Sequence, residues 1–166
     1  MFSEAVIALA ADVLVRARHA GLMIATAESC TGGLLSACLT SVPGASSVLD
    51  RGYVTYSNAA KTEVLGVPAS LIEVHGAVSE EVAIAMAEGA LARSRAQITV
   101  SVTGIAGPGG GTEEKPVGLV WFGAARTGYE TISEVHRFGD IGRPFIREKS
   151  LEVGLRLFDR LILEDR

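Results

Sequence analysis

The chain has 166 residues, 48% of them hydrophobic and 20% charged, which is enough apolar material for a sizeable core and too much for a disordered segment. A net charge of -4 offers no basic field for a polyanion, and an aromatic content of 5% leaves few stacking platforms for single-stranded nucleic acid. No apolar run is long enough to cross a bilayer, and the stretch from Ala5 to Ala11 lacks the basic leader of a signal peptide. The expectation is therefore a cytoplasmic chain with neither nucleic acid nor membrane as partner.

Ser3 is placed to cap a first helix whose Val6, Ala10, Val13, Leu14 and Ala17 share one face, with Gly21 as its stop. Leu22 to Ala27 reads as a short buried strand. It runs into Glu28-Ser29-Cys30-Thr31-Gly32-Gly33, a polar turn with two glycines, after which Leu34 to about Thr40 reads as a helix. Ser41 to Ser47, with Pro43-Gly44, is a loop. Tyr53, Val54, Thr55 and Tyr56 suit a pleated surface, so Asp50 to Ser57 is a second strand. Asn58 reads as the N-cap of a helix over Ala59 to Leu65, ended by Gly66 and Pro68, with a further helical turn from Ala69 to Glu73. Ser79 caps an Ala-rich helix that runs to about Arg93, with Glu80 and Glu81 at the end where its dipole favours anions.

Ala96 to Thr103 has the nearly continuous apolar character of a central strand. Gly104 to Pro116 is a long glycine-rich loop. Val117 to Arg126 and Thr131 to Phe138 pair most simply as an antiparallel hairpin, and a last helix opens near Pro144 and runs to about Leu163. This order predicts one domain over 1–166, a three-layer α/β/α sandwich on a mixed, mostly parallel sheet closed by an antiparallel hairpin. Ligands of open α/β sheets sit beyond the carboxyl ends of strands. Three polar or glycine-rich turns follow strand ends here: Glu28 to Gly33, Ser57 to Lys61, and Gly104 to Gly111. Their convergence is the expectation.

The first turn can hold a nucleophile beside backbone N–H groups, or bind an anion, or serve as an ordinary strand-to-helix turn. With Asn58 as cap, Lys61 falls at the third helical position, where the dipole opposes a cation and partial burial would lower its pKa further. A neutral lysine can act as a general base for Ser29, directly or through Tyr56, with the N–H groups of Thr31 to Gly33 facing the oxyanion. Cys30 with His75 is the rival pair; a small buried residue and a loop histidine are their plainer roles. Glu28, Thr31, Gly32, Gly33 and Asn58 are the substrate-binding candidates of the first two turns, and Thr103, Gly104 and Gly107 those of the third. Arg143 and Arg147 open the last helix at the end its dipole denies to cations, which suits an anion. Three scattered histidines supply no metal set and the cysteines no metal-type spacing, so neither metal nor cofactor is expected. Cys30 and Cys38, two helical turns apart on one element, cannot reach each other for a disulfide.

Thr-Ala-Glu-Ser-Cys-Thr-Gly-Gly (26–33), Gly-Tyr-Val-Thr-Tyr-Ser-Asn-Ala-Ala-Lys (52–61) and His-Gly-Ala-Val-Ser (75–79) follow one another along the chain. Val-Thr-Gly-Ile-Ala-Gly-Pro (102–108), Glu-Lys-Pro-Val-Gly (114–118) and Gly-Asp (139–140) complete the series. With these motifs the chain resembles the CinA C-terminal domain family, the nicotinamide mononucleotide deamidases, over nearly its whole length. The resemblance implies metal-free hydrolysis of the carboxamide of nicotinamide mononucleotide to nicotinic acid mononucleotide and ammonia, in pyridine nucleotide recycling. It is consistent with Ser29 as nucleophile assisted by Lys61 and Tyr56, and it implies that Arg147 is the family's arginine at the start of the last helix. It also implies a homo-oligomer, with which the mean hydropathy of +0.34 is compatible. Some members carry an additional N-terminal domain whose activities are not expected here. A non-catalytic nucleotide-binding or regulatory module is the alternative that the same glycine turns would serve.

Overall fold

The computed structural model describes residues 2–164; the ends of the expected domain, at 1 and 166, lie outside them. In chain order the elements are α1 (Glu4–His19), β1 (Ile24–Glu28), α2 (Leu34–Thr40), a 3₁₀ turn (Ala45–Ser47), β2 (Leu49–Val54), α3 (Asn58–Leu65), α4 (Ala69–His75), α5 (Glu80–Ala92), β3 (Ile98–Gly104), β4 (Leu119–Arg126), β5 (Ile132–Arg137) and α6 (Arg143–Leu163).

Burial along each strand reports its place in the sheet. Every residue of β1 is buried and nearly every residue of β3 and β4, whereas β2 and β5 contain only half-buried and exposed residues. Accordingly the sheet runs β2-β1-β3-β4-β5, with the two half-exposed strands at its edges. β1 is parallel to both β2 and β3; β4 is antiparallel to both β3 and β5. The sheet is therefore mixed, and the hairpin terminates it at one edge while leaving it open. In register, Glu28 lies opposite Val54 on one side and Val102 on the other, so β1, β2 and β3 end together.

The helices fall on both faces. α1, α2 and α6 pack Val13, Leu14, Leu35, Leu39, Leu155 and Phe158 against the side of the sheet that carries Ile98, Val100 and Phe122. α5 covers the opposite face with Val82, Met86 and Ala90, joined by Leu65 of α3 and Ile72 of α4. The face of β3 turned to α5 is polar, and it is satisfied by the backbone of α5 and of the connector that precedes it. Thr99 Oγ1 donates to Ala87 O (2.7 Å), Ser101 Oγ to Ala83 O (2.6 Å), and Thr103 Oγ1 to Ala77 O (2.8 Å). Such contacts need α5 close to the sheet, which its alanines and Gly123 of β4 permit, since a Cβ on Gly123 would meet Ala83 O; Gly89 instead lets α3 approach α5. A Cβ on Gly89 would strike the carbonyl of Leu65. Gly89→Ala is thus expected to destabilise the fold by about 3 kcal/mol, read as a lower urea midpoint, because backbone and not a flexible side chain must move.

Three boundaries depart from the sequence reading near the strand ends. β2 runs Leu49–Val54 and stops three residues before Ser57, because Thr55 to Ser57 turn toward the start of α3. Ser57, not Asn58, is the N-cap of α3, its hydroxyl accepting from Ala60 N at 3.0 Å. Lys61 is consequently the fourth helical residue. α6 begins at Arg143, one residue before Pro144, after Gly142 in a left-handed conformation (φ 93°).

Candidate active site

β1 ends in Glu28, and its side chain turns back on the chain that follows. Glu28 Oε2 accepts from Gly33 N (3.1 Å) and Leu35 N (3.0 Å), and Oε1 accepts from Ser36 N (2.9 Å). The N-cap of α2 is Gly33, which has no side chain to cap with, so the carboxylate of Glu28 does that work from five residues upstream. Glu28 is fully buried and reaches neither Lys61 nor solvent, which corrects its expected role as a ligand contact.

With Glu28 holding the start of α2, the intervening residues must turn sharply. Gly32 (φ 60°) and Gly33 (φ 95°) are both left-handed, a conformation that side chains disfavour. Ser29 N donates to Val102 O (2.9 Å), extending the β1–β3 pairing by one residue, and Ser29 O accepts from Gly32 N (3.0 Å). The N–H groups of Gly32 and Gly33 are therefore already engaged, by Ser29 O and Glu28. This corrects the expected oxyanion donors: among the described residues, the N–H groups of the turn that donate to no backbone carbonyl or carboxylate are those of Cys30 and Thr31.

Lys61 meets this turn from the other side. Its side chain is 1% exposed, and Nζ lies 3.0 Å from Ser29 Oγ, 2.9 Å from Thr55 O and 3.2 Å from Tyr56 O. Among the described residues no carboxylate pairs with it. Burial pushes the lysine below its ordinary pKa. Once neutral, the amine keeps two N–H groups on the two carbonyls and directs its lone pair at the Ser29 hydroxyl. Thr55 supplies more than its carbonyl, since Thr55 N donates to Glu28 O (2.9 Å) and ties the end of β2 to β1.

Tyr56 contributes its carbonyl to Lys61, while its phenol points away. The ring is 59% exposed, and the hydroxyl accepts from Arg143 Nη2 at 2.9 Å. Lys61 thus reaches Ser29 with no phenol between them. Arg143 Nη1 also donates to Gly107 O (2.8 Å), which draws the third turn to the second. Arg147, one helical turn further on, donates from Nη2 to Thr31 O at 2.8 Å. Both arginines of the first two turns of α6 therefore face the site, and the contact between Arg143 and Tyr56 was not anticipated from sequence. Three buried polar atoms without a hydrogen-bond partner, Thr31 Oγ1, Thr55 Oγ1 and Arg147 Nε, belong to residues of this same cluster.

The other candidates make no hydrogen bond to the Ser29 hydroxyl among the described residues. Thr103 is 1% exposed and its hydroxyl is committed to Ala77 O, so it cannot offer a hydrogen to a ligand. Gly104 is a glycine because a Cβ there would meet Leu119 O at 2.9 Å, a packing requirement of β4. Asn58 is exposed on the first turn of α3. Cys30 is 6% exposed and burial pushes its thiol up to about 12, while His75 pairs with Glu81 at 3.2 Å. The rival Cys–His pair is thus not assembled. Cys30 and Cys38 are both free. Among the described residues no three His, Cys, Asp or Glu side chains form a metal-binding group, and no helix is long and apolar enough to cross a membrane.

Residues 6–162 match the family model for the CinA C-terminal domain. The chain belongs to this family. A CinA-like protein of Akkermansia muciniphila is 60% identical over 114 residues, which are 69% of this chain and 28% of the relative. A CinA-like protein of Syntrophobacter fumaroxidans is 49% identical over 150 residues, 90% of this chain and 35% of the relative. The chain thus spans about a third of the length of these curated relatives. Among solved structures, competence/damage inducible protein CihA from Agrobacterium tumefaciens superposes with a TM-score of 0.95 at 46% identity, covering 97% of this chain and 98% of its own. Competence damage-inducible protein A (ComA) from Klebsiella pneumoniae gives 0.90 at 36% identity, covering 96% and 98%. The five-stranded mixed sheet with helices on both faces is the architecture of these family structures.

Proposed function

We propose that this domain hydrolyses the carboxamide of nicotinamide mononucleotide to nicotinic acid mononucleotide and ammonia through an acyl-enzyme on Ser29, as an enzyme of pyridine nucleotide recycling that acts as a homo-oligomer in the cytoplasm. The observation that carries the chemistry is the buried Lys61 Nζ at 3.0 Å from Ser29 Oγ. A binding module has no use for a desolvated lysine against a serine; an amidase does.

In this reading neutral Lys61 takes the Ser29 proton as Oγ attacks the amide carbon. The oxyanion forms toward the N–H groups of Cys30 and Thr31, each such donor contributing roughly 3 kcal/mol to the barrier reduction. The Lys61 ammonium then gives its proton to the departing nitrogen, ammonia leaves, and the acyl group stays on Ser29 as an ester. Water attacks that ester with Lys61 again as base, which regenerates the serine and releases the acid. Arg147, held on Thr31 O, keeps positive charge beside the turn while negative charge develops.

The test is ammonia release from nicotinamide mononucleotide with a chelator present throughout. Wild type is expected to turn over and Ser29→Ala to lose essentially all activity. Folded wild type that binds the nucleotide, read as protection against heat, yet releases no ammonia would establish the regulatory module instead.

A further inference from the structure

The side of β5 that faces α6 is where the core would be expected to continue. Its neighbour β4 does continue it, with Val120, Phe122 and Ala124 all buried there. On β5 only the ends of the same alternation, Ile132 and Phe138, pack against that core. Between them stand Glu134, opposite Phe122, and His136, opposite Val120. Inward charges can guard an edge strand against pairing with another chain, but that task needs no hollow. Here an open cavity of about 340 Å³ lies between β5 and α6.

The polar groups of this cavity are ordered among themselves. His136 stacks on Phe138 with ring centroids 5.4 Å apart and meets Phe122 edge-on at 5.5 Å. Its Nε2 lies 3.2 Å from Glu134 Oε2, while Glu134 Oε1 accepts from Arg160 Nη1 at 3.2 Å. On α6, Lys149 pairs with Glu152 at 3.2 Å. Each carboxylate of the lining thus has its cation, and one cation is left over. Arg156 is exposed, and among the described residues it makes no hydrogen bond or ion pair. Val153 and Leu157, which flank it on α6, line the same cavity as Phe138. An uncompensated guanidinium beside aliphatic and aromatic walls fits a carboxylate on a flat apolar body. The volume is near the lower end for small-molecule sites, which suits one substituted ring and not a dinucleotide.

We propose that this cavity is a second ligand site, which takes a small aromatic carboxylate. The anionic group meets Arg156, and the ring lies against Phe138, Val153 and Leu157. None of the residues hydrogen-bonded to the Ser29 hydroxyl or to Lys61 Nζ lines the cavity, so the inference does not rest on the amidase reading.

The chain has three histidines, His19, His75 and His136, so imidazole resonances report on the cavity directly. The experiment titrates benzoate, at one pH, into histidine-labelled wild type and Arg156→Gln and follows the ring signals by NMR. The His136 signal is expected to move and saturate while those of His19 and His75 hold. Arg156→Gln changes an exposed helix position, so it is expected to melt like wild type and to bind benzoate about tenfold more weakly. Benzamide, the neutral counterpart of the same shape, should bind more weakly by a similar factor. A His136 signal that does not saturate, or equal affinity in Arg156→Gln, overturns the proposal. An equal response to inorganic phosphate overturns it too, and leaves an adventitious ion only.

Discussion

Lys61→Met is expected to lower kcat for amide hydrolysis by about 10³-fold or more while the chain stays folded. Methionine fills the lysine tunnel with an unbranched side chain of similar length, so packing survives and the base alone is lost. The double variant Ser29→Ala/Lys61→Met should be no worse than either single one, because two groups that act as one unit are not additive. In wild type, kcat/KM should rise with pH along a single limb whose midpoint lies below the ordinary lysine value, since burial lowers the Lys61 pKa. The residual rate of Lys61→Met should lack that limb.

Stability carries the same signature with a definite sign. The unfolded chain holds the Lys61 proton up to about pH 10.4, and the folded chain releases it earlier. Between the folded value and about 10.4 the unfolded state binds more protons, so wild-type stability rises with pH over that window. Below it the cost of a buried ammonium is felt in full. Thermal melts of the two proteins at a series of pH values should therefore show wild type gaining on Lys61→Met as the solution becomes more alkaline. Parallel curves would mean that Lys61 is neutral or charged in both states alike, and would remove it as the base.

The pairing of Ser29 with Lys61 was legible because it depends on topology. A parallel sheet brings the carboxyl ends of β1, β2 and β3 side by side, and each of those ends is followed by a polar or glycine-rich turn. Which atoms of those turns do the work was not legible. Thr55 and Tyr56 lie just past the end of β2, where Thr55 is buried while the Tyr56 ring faces out, and the lysine takes the carbonyls of both. Ser57 and Asn58 are adjacent and equally fit to cap, and propensity cannot separate them. Thr103 follows the alternation of β3 onto the face that meets α5, where a backbone carbonyl consumes its hydroxyl. Arg143 reads from sequence as a cation suited to an anion; its grip on Tyr56 joins residues 87 positions apart, which no local pattern encodes.

Glu28 is the residue whose expected and observed roles differ most, and the difference gives the second large prediction. A carboxylate that contacts substrate would, when changed, raise KM and leave the fold intact. A carboxylate that accepts three backbone N–H groups at the start of α2 should instead be a stability residue. Glu28→Ala strands those donors in a buried place and removes the negative charge from the helix dipole, a combined loss of about 4 kcal/mol in urea denaturation. Glu28→Gln keeps the shape and one acceptor oxygen, and should fall between the two. Activity is expected to fail in step with stability, because Gly33 N, one of the three donors, lies four residues from Ser29 and sets the turn that presents it. At temperatures where Glu28→Gln remains folded, kcat should drop while KM holds, since a loosened turn misplaces both the nucleophile and the N–H groups of Cys30 and Thr31. A variant that melts like wild type but has lost affinity for the nucleotide would return Glu28 to the substrate.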